Sequence, residues 1–242
     1  MRVVALIQAR MGSTRLPGKV LCDLAGQPML ARVFNRASQA RTLHLVAVAT
    51  TDRSADDAIV NLCEQQGWCC FRGSEDDVLD RYYRAAEAFQ ADAVVRITSD
   101  CPLIDAEVID GVVTSFASLH PSCDYVSNCL ERTFPRGLDV EVLSLDALRK
   151  AWEEDRDPAW REHVTPYVWR NPGRFRLRNF FNSADYSDMR WTVDTVEDLA
   201  FVRKIYEHFR DEPFGWQDVI ELLQAHPDWL EINRHVQQKA SP

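Results

Sequence analysis

The sequence predicts an α/β fold: a mostly parallel sheet with helices on both faces, extended by a small mixed α/β region. Two observations carry this. Apolar runs at residues 3–7, 43–49, 69–71 and 93–97 alternate with segments whose apolar residues recur every three or four positions, the pattern of βαβ units. From about residue 120 the alternation breaks under repeated prolines, while 242 residues suffice for one domain of ordinary size with a substantial core.

Val3 to Ile7 reads as a buried strand. The stretch from Ile7 to Leu21 is too broken by Gly12, Pro17 and Gly18 to be one regular helix, and it holds Arg10, Arg15 and Lys19 with the hydroxyls of Ser13 and Thr14. Glycines let backbone N–H groups turn toward a ligand and the cations supply countercharge, so this is an anion-holding loop suited to a nucleoside triphosphate. Pro28 opens a helix with Met29, Leu30, Val33, Phe34 and Ala37 on one stripe and Arg32, Asn35, Arg36 and Gln39 opposite. Residues 43–49 form a second strand, 55–66 a helix, 69–71 a short strand and 78–90 another helix. The strand at 93–97 runs into Thr98-Ser99-Asp100-Cys101-Pro102-Leu103, and a helix with Ile109, Val112, Val113 and Phe116 follows. Four such alternations make a Rossmann-like three-layer sandwich, whose ligands sit at the carboxyl ends of the strands. The polar loops at 8–19 and 98–102 both lie at such ends and should converge.

Beyond residue 120, Tyr125-Val126, residues 138–143 and residues 175–181 read as strands interrupted by Pro121, Pro135, Pro158, Pro166 and Pro172. This smaller region extends the sheet and closes over the site. Order returns at residues 189–194, followed by helices over 196–209 and 215–224, and residues 229–242 read as a terminal helix that frays. Asp139 and Glu141, two apart on a strand, face one way together and either line a pocket or pair with Arg136.

The formal net charge of −9 argues against a general nucleic-acid or anionic-membrane binder, so positive charge must be local. The N-terminal apolar run is far too short for a signal segment and no run approaches membrane-spanning length, which points to a cytoplasmic protein. Seven cysteines, with no Cys-x-x-Cys pair, read as reduced, mostly buried thiols.

Ala9-Arg10-Met11-Gly12-Ser13-Thr14-Arg15-Leu16-Pro17-Gly18-Lys19 resembles the N-terminal signature of the cytidylyltransferases that make CMP-activated acidic sugars, CMP-3-deoxy-manno-octulosonate synthetase and acylneuraminate cytidylyltransferase, and above all their spore coat polysaccharide biosynthesis branch. The resemblance continues at residues 73–79, 98–104, 137–142 and 191–199, in the family's order. It implies the nucleotide-diphospho-sugar transferase type of fold, a homodimer, and transfer of CMP from CTP to an acidic sugar for surface polysaccharide synthesis. It divides the chain into a nucleotide-binding half (1–119), an acceptor and dimer region (120–188) and a metal-binding segment with the C-terminal helices (189–242).

The residue roles follow from the chemistry and the resemblance together. Arg10 and Lys19 grip the β- and γ-phosphates, Arg15 offsets charge on the leaving pyrophosphate, and the backbone from Leu6 through Gln8 and Ala9 meets the pyrimidine edge, with Gly12 and Ser13 completing the loop. In the family the aspartates matching Asp100 and Asp194 bind Mg²⁺, and both are read here as lying at strand ends; Mg²⁺ keeps several waters and takes its remaining ligands from substrate phosphates. The alternative roles are helix capping near Asp105 for Asp100 and N-capping beside Thr195 for Asp194. Ser74 and Asp77 either cap a helix or sit near the ribose. Asp139, Glu141 and His163 are acceptor-site candidates, with a packed or helix-terminal role as the alternative for His163. Arg10, Lys19 and Asp100 are the catalytic candidates, serving an in-line attack on the α-phosphorus that needs no covalent enzyme nucleophile. A nucleotide-sugar glycosyltransferase is the competing enzyme class, against which Asp100-Cys101-Pro102 lacks the Asp-x-Asp pair that usually holds the donor's metal; an idle nucleotide-binding subunit is the other alternative.

Overall fold

The computed structural model describes residues 1–210 and 212–238. Its centre is a seven-stranded sheet of β1 (Val3–Gln8), β2 (Leu45–Thr51), β3 (Cys69–Gly73), β4 (Ala93–Thr98), β5 (Tyr125–Ser127), β6 (Glu141–Ser144) and β7 (Leu177–Asn179) in the order β3-β2-β1-β4-β6-β5-β7. Strands β1 to β4 pair in parallel, β6 runs antiparallel to both β4 and β5, and β7 pairs in parallel with β5. The helices between them are α1 (Met29–Ala37), α2 (Asp57–Gln66), α3 (Val78–Ala88), α4 (Ala106–Leu119), α5 (Leu145–Glu154), α6 (Pro158–His163), α7 (Pro166–Trp169), α8 (Val196–Phe209) and α9 (Trp216–Ala225). The expected mostly parallel three-layer sandwich is therefore the architecture found. Among the described residues no helix is long and apolar enough to cross a membrane.

Alternation along β1 sends Val3, Ala5 and Ile7 into one core and Val4 and Leu6 into the other, so the central strand is buried on both faces. The first core takes α1, α2, α4, α8 and α9; the second takes α3, α5 and α7. The polar side of α1 is not simply solvated: Arg32 donates to the Leu24 and Ala25 carbonyls, and Arg36 donates to the Ile104 and Phe214 carbonyls and pairs with Asp105. Cationic side chains here fasten loops.

The second half departs from the sequence reading in detail. Residues 138–140 stay outside β6 because the Asn128 side chain takes over their backbone, donating to the Leu138 carbonyl at 2.7 Å and accepting from the Val140 N–H at 2.9 Å. Asp139 thus precedes the strand while Glu141 opens it. The segment 189–194 forms no strand, only an isolated bridge between Arg136 and Arg190. Its backbone is fixed instead by Trp191 N–H donating to the Arg136 carbonyl and Val193 N–H donating to the Asp100 carbonyl. In place of the terminal helix, residues Pro227–Ile232 form a 3₁₀ helix, and the rest of that expectation, from residue 239 onward, lies outside the described residues. All seven cysteines are free thiols, but Cys22, Cys70 and Cys129 are half-buried and Cys69 is exposed, so only Cys63, Cys101 and Cys123 behave as core residues.

Gly137 decides where the 189–194 segment lies. Its φ of +114° is disfavoured for any side chain, and a Cβ there would come within 2.8 Å of the Thr192 nitrogen and the Trp191 carbonyl carbon. Gly137→Ala should cost about 2 kcal/mol or more and lower Tm by roughly 5 °C in a thermal melt, whereas an unchanged Tm would contradict this close approach.

Candidate active site

The loop after β1 is held in shape by a small set of bonds. Ala9 N–H donates to the Ala49 carbonyl of β2, and the Met11 carbonyl accepts from both Ser13 N–H and Gly18 N–H at 3.0 Å, closing the turn that Gly18 can make because its φ is +69°. Asp56, 3% exposed, accepts from Met11 N–H at 2.6 Å and from the Thr51 hydroxyl, tying the loop to the end of β2. No motif marks Asp56 in the sequence; its role appears only through its partners. The loop then enters a 3₁₀ turn at Lys19–Leu21, which directs Lys19 inward.

Lys19 is the hub of the site. Its Nζ lies 2.9 Å from Asp100 Oδ2, 2.9 Å from Asp194 Oδ1 and 2.8 Å from the Val193 carbonyl. Burial works against the ammonium charge, but the two carboxylates outweigh it and hold the Lys19 pKa above the ordinary lysine value. Asp194 is also held by Arg15 at 2.8 Å and Arg190 at 2.9 Å, and these cations, with Lys19, overcome its burial and depress its carboxyl pKa. Asp100 and Asp194 therefore converge on one cation. Asp105, not Asp100, caps α4, and Thr195 with Asp198 forms the capping box of α8, so neither capping alternative describes the two aspartates. Asp194 is not at a strand end as expected: it sits just before α8, fixed by the fully buried Asp198, which accepts from Asp194 N–H, Thr195 N–H and Arg190.

These groups open onto a cleft of about 280 Å³ at the carboxyl ends of β1 and β4. Of the residues expected to contact nucleotide, Gln8, Ala9, Arg10, Gly12, Ser13, Arg15 and Lys19 line it, together with Asp100, Asp194 and His163. Leu6, Ser74 and Asp77 are not in its lining. Leu6 is buried inside β1. Ser74 accepts from Asp77 N–H, and Asp77 caps α3 while accepting two hydrogen bonds from Arg161, so both carry structural bonds. Thr98 and Ser99 join them, as the expected convergence of the 8–19 and 98–102 loops requires, and the cleft adds Val78, Arg81 and Glu162, which the sequence reading had not placed there. Arg10 meets Glu162 at 3.2 Å across the cleft mouth.

A second cavity of about 580 Å³ adjoins it beneath α6 and α7. Asp139, Glu141 and His163 all line it, but the partner of Asp139 is Arg132, bound through both oxygens, and not Arg136. Glu141 is taken up by Arg96 and by the hydroxyls of Tyr125 and Thr165, each at 2.6 Å. It stiffens the cavity wall. Arg136 lines the same cavity with its pKa lowered by burial and by Arg132 nearby, the signature of a guanidinium short of countercharge. His163 ends α6 and faces both cavities because the chain reverses at Val164, whose φ of +70° with Thr165 N–H donating to the His163 carbonyl makes a strained γ-turn.

Burial, with Arg96 nearby, pushes the His163 pKa below its ordinary value. The unfolded chain therefore binds this proton first as pH falls, and stability should drop from about pH 6.5 down to the folded pKa and lose nothing further below it. Urea unfolding across that window should show the slope, and His163→Asn should remove that component; an identical slope in the variant would contradict the assignment.

The cytidylyltransferase family model matches residues 4–240. The spore coat polysaccharide biosynthesis protein SpsF of Bacillus subtilis is 32% identical, over 93% of this chain and 95% of its own. A 3-deoxy-manno-octulosonate cytidylyltransferase of Chlamydia trachomatis is 32% identical, over 83% of this chain and 80% of its own. The solved structure of a cytidylyltransferase from Leptospira borgpetersenii superposes with a TM-score of 0.92 at 35% identity, covering 99% of both chains.

Proposed function

The chain belongs to the cytidylyltransferase family, and from that premise we propose that it transfers CMP from CTP to an acidic sugar, releasing pyrophosphate, in the making of a surface polysaccharide. The observation that carries the reading is the convergence of Asp100 and Asp194 on the Lys19 ammonium beside Arg10 and Arg15. A polyphosphate needs both a cationic grip and a carboxylate pair able to hold a divalent ion, and here one cleft end supplies both.

The donor set fits Mg²⁺: two carboxylate oxygens reach the same point, and this ion completes its shell with water and phosphate oxygens. Asp100 and Asp194 would hold it, and it would neutralise charge on the reacting phosphates. The chain's own residues do the rest. Lys19 swings from the carboxylates to a phosphate oxygen, Arg10 and Arg15 bind the departing pyrophosphate, and the Asp56-tethered loop keeps its N–H groups aimed at the same oxygens. In the adjoining cavity Arg132 and Arg136 suit the carboxylate of the acceptor, against a wall stiffened by Glu141 and with His163 at the passage between the two sites. The protein positions and neutralises, and no enzyme nucleophile enters the path. A homodimer belongs to the same proposal and is read out by sedimentation.

Pyrophosphate release from CTP with a panel of 2-keto-3-deoxy sugar acids and Mg²⁺ tests this. Asp100→Asn should reduce the rate by about 10²-fold or more with an unchanged circular dichroism spectrum. Full activity in that variant, or turnover of a UDP- or GDP-sugar in place of CTP, would overturn the proposal.

A further inference from the structure

The two cavities share one side chain. Among the described residues, His163 alone lines both the cleft that holds Lys19, Asp100 and Asp194 and the cavity that holds Arg132 and Arg136. An acceptor whose carboxylate lies against those two arginines, and whose hydroxyl reaches a phosphorus in the first cleft, crosses the boundary that this imidazole occupies. The backbone sets its position: the chain reverses directly after His163, at Val164 with φ +70°, and Thr165 N–H closes the turn on the His163 carbonyl. The ring itself is half-buried, and among the described residues its nitrogens have no hydrogen bond or ion pair. Both are open to a ligand.

Attack by a hydroxyl on phosphorus releases a proton, and few groups around these cavities are free to take it. Asp139 is bound through both oxygens by Arg132, and Glu141 is taken up by Arg96, Tyr125 and Thr165. Burial raises the pKa of the Tyr125 phenol and of the Cys129 thiol, so both keep their protons. In the first cleft Asp100 and Asp194 hold Lys19, and Glu162 faces Arg10. His163 is what remains. Burial disfavours its charged form, and so do Arg96 on β4 and Arg10 on the loop after β1, whereas Glu162 on α6 and Glu141 on β6 favour the charge that it gains on taking a proton.

We propose that His163 is the general base of the transfer: a ring nitrogen takes the proton of the acceptor hydroxyl as that oxygen bonds to the α-phosphorus, and the bond from the α-phosphorus to its bridging oxygen breaks, the electron pair leaving with pyrophosphate. The imidazolium then returns its proton to solvent through the open cavity. This rests on the CTP-using reading of the same site and adds the group that activates the acceptor.

Pyrophosphate release from CTP, with whichever 2-keto-3-deoxy sugar acid of the panel supports it, tests this in His163→Gln and His163→Ala. Both variants should lose kcat by about 10²-fold while binding CTP as the wild-type protein does in calorimetric titration. Added imidazole should restore turnover to His163→Ala, and a series of substituted imidazoles should restore it in order of their basicity, a dependence that a packing or hydrogen-bonding role would not produce. Wild-type kcat in His163→Gln would overturn the assignment, since glutamine can hold a hydroxyl but not take its proton. So would a slow His163→Ala that no imidazole rescues, or a loss of CTP binding in both variants, which would make His163 part of the nucleotide site. Absence of pyrophosphate release by the wild-type protein with every acid of the panel would overturn the functional reading and the base assignment together, and is distinguishable from any variant result.

Discussion

The Lys19 ammonium, shared between Asp100, Asp194 and the Val193 carbonyl, joins three parts of the chain that are far apart in sequence: the loop after β1, the loop after β4 and the segment before α8. Much of the surrounding structure serves to keep these three together. Asp56 anchors the first loop to β2, Val193 N–H and the Thr192 hydroxyl clamp the third onto the Asp100 carbonyl, and Asp198 pins Asp194 from behind with Arg190 and Asn233. Asp194 and Asp198 each accept from several donors at once, so the position of the carboxylates around Lys19 is set by fixed bonds.

The single antiparallel strand explains how a second cavity comes to adjoin the first. β6 reverses between β4 and β5, so Glu141 enters the sheet beside Arg96 at its carboxyl edge, where it also gathers Tyr125 and Thr165. The strained turn at Val164 then brings the end of α6 over the boundary between the cavities. The parallel half of the fold lines most of the first cavity, and the irregular half supplies most of the wall of the second, where Arg132 and Arg136 lie. In a chain of net charge −9, positive charge at these two places is local: Arg10, Arg15, Lys19 and Arg81 line the first cavity and Arg96, Arg132 and Arg136 the second.

The parallel half of the fold was legible in the sequence because its signal is local. Strands β1 and β4 are continuous apolar runs, α1 and α4 show clean helical spacing, and the loop that carries Arg10, Arg15 and Lys19 announces itself by its glycines, proline and charge. The family motifs likewise marked Asp100 and Asp194, and the structure brings both to the loop. The sequence offered Asp194 as the alternative cap of α8, whereas Thr195 holds that place, a hydroxyl three residues ahead of the Asp198 carboxylate.

What only the tertiary structure decided are the choices of partner. Nothing in residues 138–143 shows that Asn128 will replace a sheet ladder there, or that Asp139 will pair with Arg132 rather than Arg136. Segment 189–194 has the composition of a strand, yet contacts with Gly137 and the Asp100 loop leave it outside the sheet. Asp56 and Arg81 carry no motif, yet one anchors the loop after β1 and the other lies buried in the cleft, donating to the Ser74 carbonyl. The sequence by itself determined which residue types lie at the strand ends, because periodicity and turn chemistry are written along the chain. Which of them meet was settled by packing across 40 to 180 residues of separation, as with Met11 and Asp56 or Lys19 and Asp194, and no local pattern encodes that.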